Sequence, residues 1–239
     1  MEREFAKQEE WNRSYAAGDN VLFYPHEEIV RFLNQYVRKR TGMTEFANVM
    51  QLTDTEWDCF QSLDLGCGTG RHMKLLDEFG LHPYGIDLSD TAVELGRLWF
   101  TSLNRPDLAA HMMVGSATAL PYEDGTFQIC VSHGTLDSMP KKAAEQALRE
   151  ALRVLKKDGM MYFDLILDPD GTDREEIVTT AHENGTVQSY FTIESIKDWI
   201  GSLAGEGRNC RMMDCKIITW SDMYGKERNR RAHIMIRRG

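Results

Sequence analysis

Five short runs, residues 60–65, 83–87, 111–114, 127–132 and 160–166, are dense in apolar residues. Their length and near-continuous hydrophobicity predict strands buried on both faces. Between them, residues 71–79, 90–101 and 141–156 repeat their apolar positions with a helical period. The third of these lines up 144, 148, 151, 152 and 155 as a buried stripe, and Asp158-Gly159 supplies the turn into the next strand. Strand and helix in alternation predict a parallel sheet covered on both faces. Outside this core, apolar positions at 29, 30, 33 and 37 predict a helix over 26–40, started at Pro25 and stopped at Gly42. Residues 43–59 read as an irregular connector. Residues 167–173 are a turn-rich break, 174–191 show poor periodicity, and Thr192 is placed to cap a helix to about 203. Two last strands, 211–220 and 231–237, joined through Asp222–Lys226, predict an antiparallel hairpin at the sheet edge. The expectation is an α/β, Rossmann-like, doubly wound sheet of seven strands, mostly parallel.

Composition narrows the class. The 239 residues are 42% hydrophobic and 27% charged, with a net charge of −9. That suits one domain with additions: residues 1–42 as a helical lid, 43–239 as the main domain. No apolar run approaches the roughly 20 residues of a membrane span, and the charged N-terminus has no signal-peptide core. Five cysteines without a C-x-x-C pair fit a reduced, cytoplasmic setting. Seven scattered histidines show no metal-ligand spacing, so no metal is expected. The negative charge argues against a nucleic-acid partner. Residues 206–239 run the other way, with nine Lys/Arg against four Asp/Glu, Arg228, Arg230 and Arg231 among them. Either a solvated hairpin with protective edge charges or a basic rim for an anionic substrate accounts for them.

The chemistry concentrates at residues 62–71, Ser-Leu-Asp-Leu-Gly-Cys-Gly-Thr-Gly-Arg. A strand that stops at Gly66, Gly68 and Gly70 lets a ligand approach the backbone. The helix that follows points its N-terminal amides into the same crevice. A dinucleotide fold needs a third small residue at position 71, and here that position is Arg71. The second strand ends in Asp87, a carboxylate able to accept hydrogen bonds from both ribose hydroxyls.

The run Leu63–Arg71 with Tyr84–Ser89 resembles the class I S-adenosylmethionine-dependent methyltransferases. Residues 114–122, 127–131 and 147–159 are similar to further motifs of that family in the same order. The resemblance covers about residues 60–166. It implies S-adenosylmethionine as cofactor, S-adenosylhomocysteine as product, and methyl transfer to an acceptor.

The resemblance also implies positions for the cofactor. Asp64 belongs near the methionine moiety, held by loop amides or by the ligand's ammonium through water. Arg71 either meets the cofactor carboxylate or pairs across the helix start. Cys67 is a small filler within the cofactor loop. Ser116 stands where the family often carries an acid for the adenine amine, and the Ala117 amide shares that recognition. Leu88 and Leu120 sandwich the purine. His133, after the fourth strand, offers its carbonyl to the cofactor's amino group, or its imidazole as a general base. Asp137, His182 and Tyr190 are lesser candidates on the substrate side. In the N-terminal stretch, Trp11 and Tyr15 share a helical face, so a lid with Tyr15 and Tyr24 nearest the cofactor is expected. Small size, acidity and this lid favour a small-molecule or sugar-containing acceptor. A protein or RNA methyltransferase, or a non-catalytic cofactor-binding protein, is the alternative.

Overall fold

The computed structural model describes residues 7–205 and 210–239. Seven strands form the central sheet: β3 (Ser62–Leu65), β4 (Pro83–Asp87), β5 (Met112–Val114), β6 (Phe127–Ser132), β7 (Leu155–Ile166), β10 (Cys210–Ser221) and β11 (Glu227–Arg238). Their spatial order is β5-β4-β3-β6-β7-β11-β10. The first five are mutually parallel, and β11 runs antiparallel between β7 and β10. The order reverses between β3 and β6, where α/β sheets open a crevice at the carboxyl ends of their strands. The seven-stranded expectation, its parallel core and its terminal hairpin all hold.

Every residue of β3 and β6 is buried, which explains why these strands read as continuous apolar runs and not as alternating ones. On one face lies helix α7 (Lys141–Val154), whose stripe Ala144, Ala147, Leu148, Ala151 and Leu152 is fully buried. On the other face, α2 (Glu27–Phe32) and α4 (Arg71–Glu78) pack Ile29, Phe32, Leu75 and Leu76 against Ile129, Val131 and Tyr162. Helix α5 (Asp90–Ser102) is capped by Ser89, whose hydroxyl accepts the amide of Ala92 at 3.1 Å.

Three expectations change. The predicted helix over 26–40 stops being α-helical at Phe32, passes through a π turn at Leu33–Val37, and ends in β1 (Arg38–Arg40). There it pairs with β2 (Phe46–Asn48), inside the stretch read as an irregular connector. The turn at 158–159 is a bulge within β7: residues 156–159 loop out opposite Gln128, with Asp158 at φ 64°. Residues 174–191 contain a hairpin, β8 (Arg174–Ile177) with β9 (Val187–Tyr190). β8 is exposed at all four positions, so it carries no alternation to read. Helix α8 (Ile193–Gly205) follows as expected.

The N-terminal helix α1 (Gln8–Ala17) lies across the carboxyl end of the sheet. Gln8 Nε2 donates to the Leu88 carbonyl at 2.9 Å, and Asn12 Oδ1 accepts from the Ser89 hydroxyl at 2.6 Å. Lys7 Nζ donates to the carbonyl of Gly185 at 2.6 Å, so the helix also meets the turn between β8 and β9. No helix among the described residues is long and apolar enough to cross a membrane. The side chain of Arg228, counted in the basic stretch, lies outside those described.

Candidate active site

The turn after β3 is built for close approach. Gly66 and Gly68 have φ of +72° and +52°, in the left-handed region that favours glycine. A Cβ on Gly66 would stand 2.2 Å from the Thr135 hydroxyl, and one on Gly68 would stand 2.5 Å from the Tyr15 hydroxyl. Tyr15 therefore lies directly over the loop, as the lid expectation requires. Its neighbour in that expectation does not: the Tyr24 side chain is 86% exposed and does not line the cavity beside the loop. Only its backbone takes part, its carbonyl accepting from Arg71 at 3.4 Å. Residues 18–25 have no regular structure to aim a side chain inward. What ties them down is Thr69, whose hydroxyl donates to the Leu22 carbonyl at 2.9 Å.

Asp87 sits at the tip of β4. Its Oδ2 accepts from the Gly68 amide at 2.8 Å and its Oδ1 from the Ser89 amide at 2.9 Å. Burial pushes its pKa up to about 6, with the Ser89 and Gly68 amides pulling the other way.

Asp64 is fully buried, and neither of its carboxylate oxygens has a hydrogen-bond partner among the described residues. The expected bonds from loop amides are absent. Its neighbour is His72, with Nδ1 at 3.8 Å. His72 Nε2 accepts the amide of His26 at 3.2 Å, so the ring proton sits on Nδ1 and faces the carboxylate. A buried carboxylate without a full partner is costly and calls for a cation.

These groups open into one cavity of about 690 Å³. Tyr15, Gly66, Cys67, Gly68, Arg71, Asp87, Leu88, Ser116, Ala117 and His133 all line it; Asp64 lies just beneath, outside the lining. The Cys67 side chain turns away into an apolar cluster with Met73, Val93 and Phe100, as a filler should. Ser116 bonds Thr118 locally, accepting its amide at 3.1 Å. Leu120 is buried in the main core and does not border the cavity, so it cannot sandwich a purine there. Arg71 makes no ion pair among the described residues; its guanidinium lies 3.4 Å from His133 Nδ1.

Beyond the glycine loop the cavity continues under β6, β7 and β11, into residues that sequence reading largely missed. Arg231 of β11 donates to Asp164 of β7 and to Asp137, each at 2.6 Å. Arg231 is thus neither a solvated hairpin charge nor a free rim cation: it is half-buried in a charge triad. Burial alone would raise the Asp164 carboxyl, but Arg231, His133, the Gly134 amide and His233 together hold it low, whereas at Asp137 burial prevails over Arg231 and pushes that carboxyl up. Around them stand four of the seven histidines. The His26 ring centroid lies 4.0 Å from that of His133 and 5.5 Å from that of His233, and His72 stands 5.8 Å from His133. Tyr162 meets His233 Nδ1 at 2.7 Å. Among the described residues, no cluster of three or more His, Cys, Asp or Glu is arranged to hold a metal ion. Burial lowers the His26 pKa to about 4 and the His133 pKa to about 3.

Those values bear on the base expected at His133. Its Nδ1 faces the Arg71 guanidinium, a pure donor, so the ring proton is on Nε2, 3.5 Å from Asp164. The imidazole is neutral near pH 7, but its conjugate acid is far too strong for it to hold a transferred proton well. His182 and Tyr190 are elsewhere: His182 pairs at the surface with Glu183 at 3.3 Å, and Tyr190 donates to Glu176 at 2.7 Å beneath Arg174. One signal was readable in advance: Asp164 interrupts the otherwise apolar run Met160–Ile166, and a carboxylate there demands a partner.

Residues 63–163 match the family described as a methyltransferase domain. Over those residues the chain carries a methyltransferase domain of the class I S-adenosylmethionine-dependent family. Among curated relatives, the 2-methyl-6-phytyl-1,4-hydroquinone methyltransferase of Synechocystis sp. is 35% identical over 100 residues, 41% of this chain and 30% of that one. The 18S rRNA (guanine-N(7))-methyltransferase of Bos taurus is 22% identical over 68% of this chain and 59% of that one. The first curated relatives are spanned over only 30–39% of their length. A SAM-dependent methyltransferase structure from Methanosarcina mazei has the same fold, with a TM-score of 0.58 at 18% identity over 79% of this chain and 98% of that one. The cofactor of this family fits the residues present: a glycine cradle that any Cβ would fill, a carboxylate at the ribose position, and an unpartnered buried Asp64 beneath the loop.

Proposed function

We propose that this protein transfers a methyl group from S-adenosylmethionine to a small molecule bound in the same cavity. The observation that carries this reading is the cavity's extent under a roof. It runs from Asp87 and Ser116 past the glycine loop to Arg231, covered by Trp11 and Tyr15 of α1 and by Glu183 and Val187. At about 690 Å³ it falls within the range of small-molecule sites, about 300–1,000 Å³. When bound, the cofactor supplies an electrophilic methyl on sulfur, released as the C–S bond breaks with its electron pair kept by sulfur.

The chain's own residues bind, orient and exclude water. Asp87 takes the ribose hydroxyls, and Asp64 balances the amino group. Ser116 and the Ala117 amide meet adenine. Arg71 serves the carboxylate, and Tyr15 closes the loop from above. His133 positions Arg71, whose guanidinium its Nδ1 faces.

A macromolecular acceptor is the second reading, favoured by the rRNA methyltransferase relative. The roof stands against it, because a folded RNA must deliver its base past α1. Calorimetric titration with S-adenosylmethionine tests the common premise, with saturable one-to-one binding expected. Release of S-adenosylhomocysteine is then followed with pools of small metabolites, total protein and total RNA. Turnover with the RNA or protein pool alone overturns the small-molecule reading.

A further inference from the structure

In the half of the cavity beyond the glycine loop, several hydrogen-bond donors are already committed. Arg231 commits Nε to Asp164 and Nη2 to Asp137. Gln188 uses its amide hydrogens on the carbonyls of Asp137 and Ser189, at 2.8 and 3.2 Å. The hydroxyls of Thr135 and Ser138 donate to the backbone carbonyls of Leu65 and Gly134. Beside them stand acceptors that lack donors. Asp137 is 1% exposed and borders the cavity, and its Oδ1 has no donor among the described residues. Gln188 retains its carbonyl oxygen. Glu183, also in the lining, has as its ion partner the exposed His182.

Asp137 is also held rigidly. Its Oδ2 accepts the Ile166 amide at 3.1 Å as well as Arg231, and its carbonyl accepts the Ser189 amide at 2.7 Å. Three elements, β7, β9 and β11, thus fix one unsatisfied carboxylate oxygen on a residue of the cavity wall. Leaving such an atom unpaired is expensive, and a ligand that donates to it relieves that cost.

Resting on the methyltransferase reading above, we propose that the methyl acceptor is an amine, whose N–H groups are bound by Asp137 Oδ1, the Gln188 carbonyl oxygen and Glu183. An amine arriving as an ammonium must lose one proton before its lone pair is available. Asp137 Oδ1 takes it: an N–H bond breaks, an O–H bond forms, and the electron pair stays on nitrogen. Burial supports this division of labour, since it raises the Asp137 carboxyl and lowers His133, inverting the usual order of basicity. It also lowers the amine's own affinity for the proton.

The test measures binding to the full chain saturated with S-adenosylhomocysteine, using matched probes at up to millimolar concentration. The pairs are benzylamine with benzyl alcohol, hexylamine with hexanol, and tyramine with its alcohol counterpart. At least one amine should bind about tenfold or more tightly than its alcohol, as a hydrogen bond to a charged group implies. Asp137→Asn should abolish that preference and Glu183→Gln should reduce it. Should Asp137→Asn fail to fold, Glu183→Gln on its surface turn still reads the same preference. Equal or tighter binding of the alcohols, or no binding by any amine, overturns the proposal. Failure of S-adenosylhomocysteine itself to bind overturns the methyltransferase reading instead, and calorimetry of that first step separates the two.

Discussion

Asp87 Oδ2 accepts a hydrogen bond from the Gly68 amide at 2.8 Å, so the carboxylate proposed to take the ribose hydroxyls also ties down the glycine loop. One side chain thereby couples two strand ends, β4 and β3. Asp87→Ala removes both functions. Loss of charge-assisted bonds of about 1.5–3 kcal/mol predicts S-adenosylmethionine affinity reduced by roughly 10- to 100-fold. Titration calorimetry checks it, and unchanged affinity removes the ribose assignment.

The raised pKa of Asp87, about 6 against an ordinary 3.8, gives that site a pH dependence. The free folded protein keeps this proton between pH 3.8 and 6 while the unfolded chain has released it. The group's contribution therefore favours the fold below 3.8 and is lost as pH rises through 6. Cofactor binding has the opposite sign, because ribose hydroxyls donate to the carboxylate form. Affinity should be full above pH 7 and fall toward tenfold per unit below pH 6. A flat profile from pH 5 to 8 would sink this account.

Tyr15 and Gly68 meet so closely that a single methyl group tests the lid. Gly68→Ala puts a Cβ 2.5 Å from the Tyr15 hydroxyl and strains a φ of +52°. It should abolish cofactor binding while thermal unfolding stays cooperative. Tyr15→Ala opens the roof without touching the cradle. Stopped-flow dissociation should then be faster, by about tenfold if the lost contact is worth about 1.4 kcal/mol.

Asn12 connects the lid to the ribose carboxylate through Ser89, which donates its hydroxyl to Asn12 and its amide to Asp87. Asn12→Ala leaves the Ser89 hydroxyl its role as helix cap but releases α1. Proteolysis within residues 7–25 should become faster in the free protein, and saturating S-adenosylmethionine should restore protection to a smaller extent than in wild type. Identical protection in both proteins would show that the lid is held by other contacts.

Arg231 balances two buried carboxylates, so its removal leaves uncompensated charge. Arg231→Met should destabilise the protein by about 3–5 kcal/mol, read as a lower urea midpoint at pH 7. Arg231 holds the Asp164 carboxyl low, so in wild type this stabilisation is present at neutral pH and fades as pH falls through Asp164's depressed pKa. The gap between variant and wild type should therefore narrow in acid.

Much of the cavity's glycine-loop end could be read from the chain because its parts are contiguous. Gly66, Gly68, Arg71 and Asp87 lie on consecutive elements, and their roles depend on backbone conformation that local spacing reveals. Tyr15 was readable for a similar reason, being on one helical face with Trp11. Tyr24 was not: with no periodic element around it, nothing set the direction of its side chain. β8 was missed because an exposed strand has no apolar alternation, and the π turn at Leu33–Val37 because its apolar spacing resembles that of a helix.

The far half of the cavity belongs to tertiary structure. Asp137, Asp164, Gln188 and Arg231 are spread over 95 residues; the sequence offers Asp137 as a lesser substrate-side candidate and Arg231 as a hairpin charge, and nothing in it links the four. They meet because β11 inserts antiparallel beside β7 and β9 bonds back to the loop after β6. The sequence by itself determined the fold class and the glycine turn with its neighbouring carboxylate, since these rest on local periodicity and on glycines at a strand end. Only the tertiary structure decided which charges are buried together and which oxygen is left without a donor, because those depend on pairings between distant segments that no local pattern encodes.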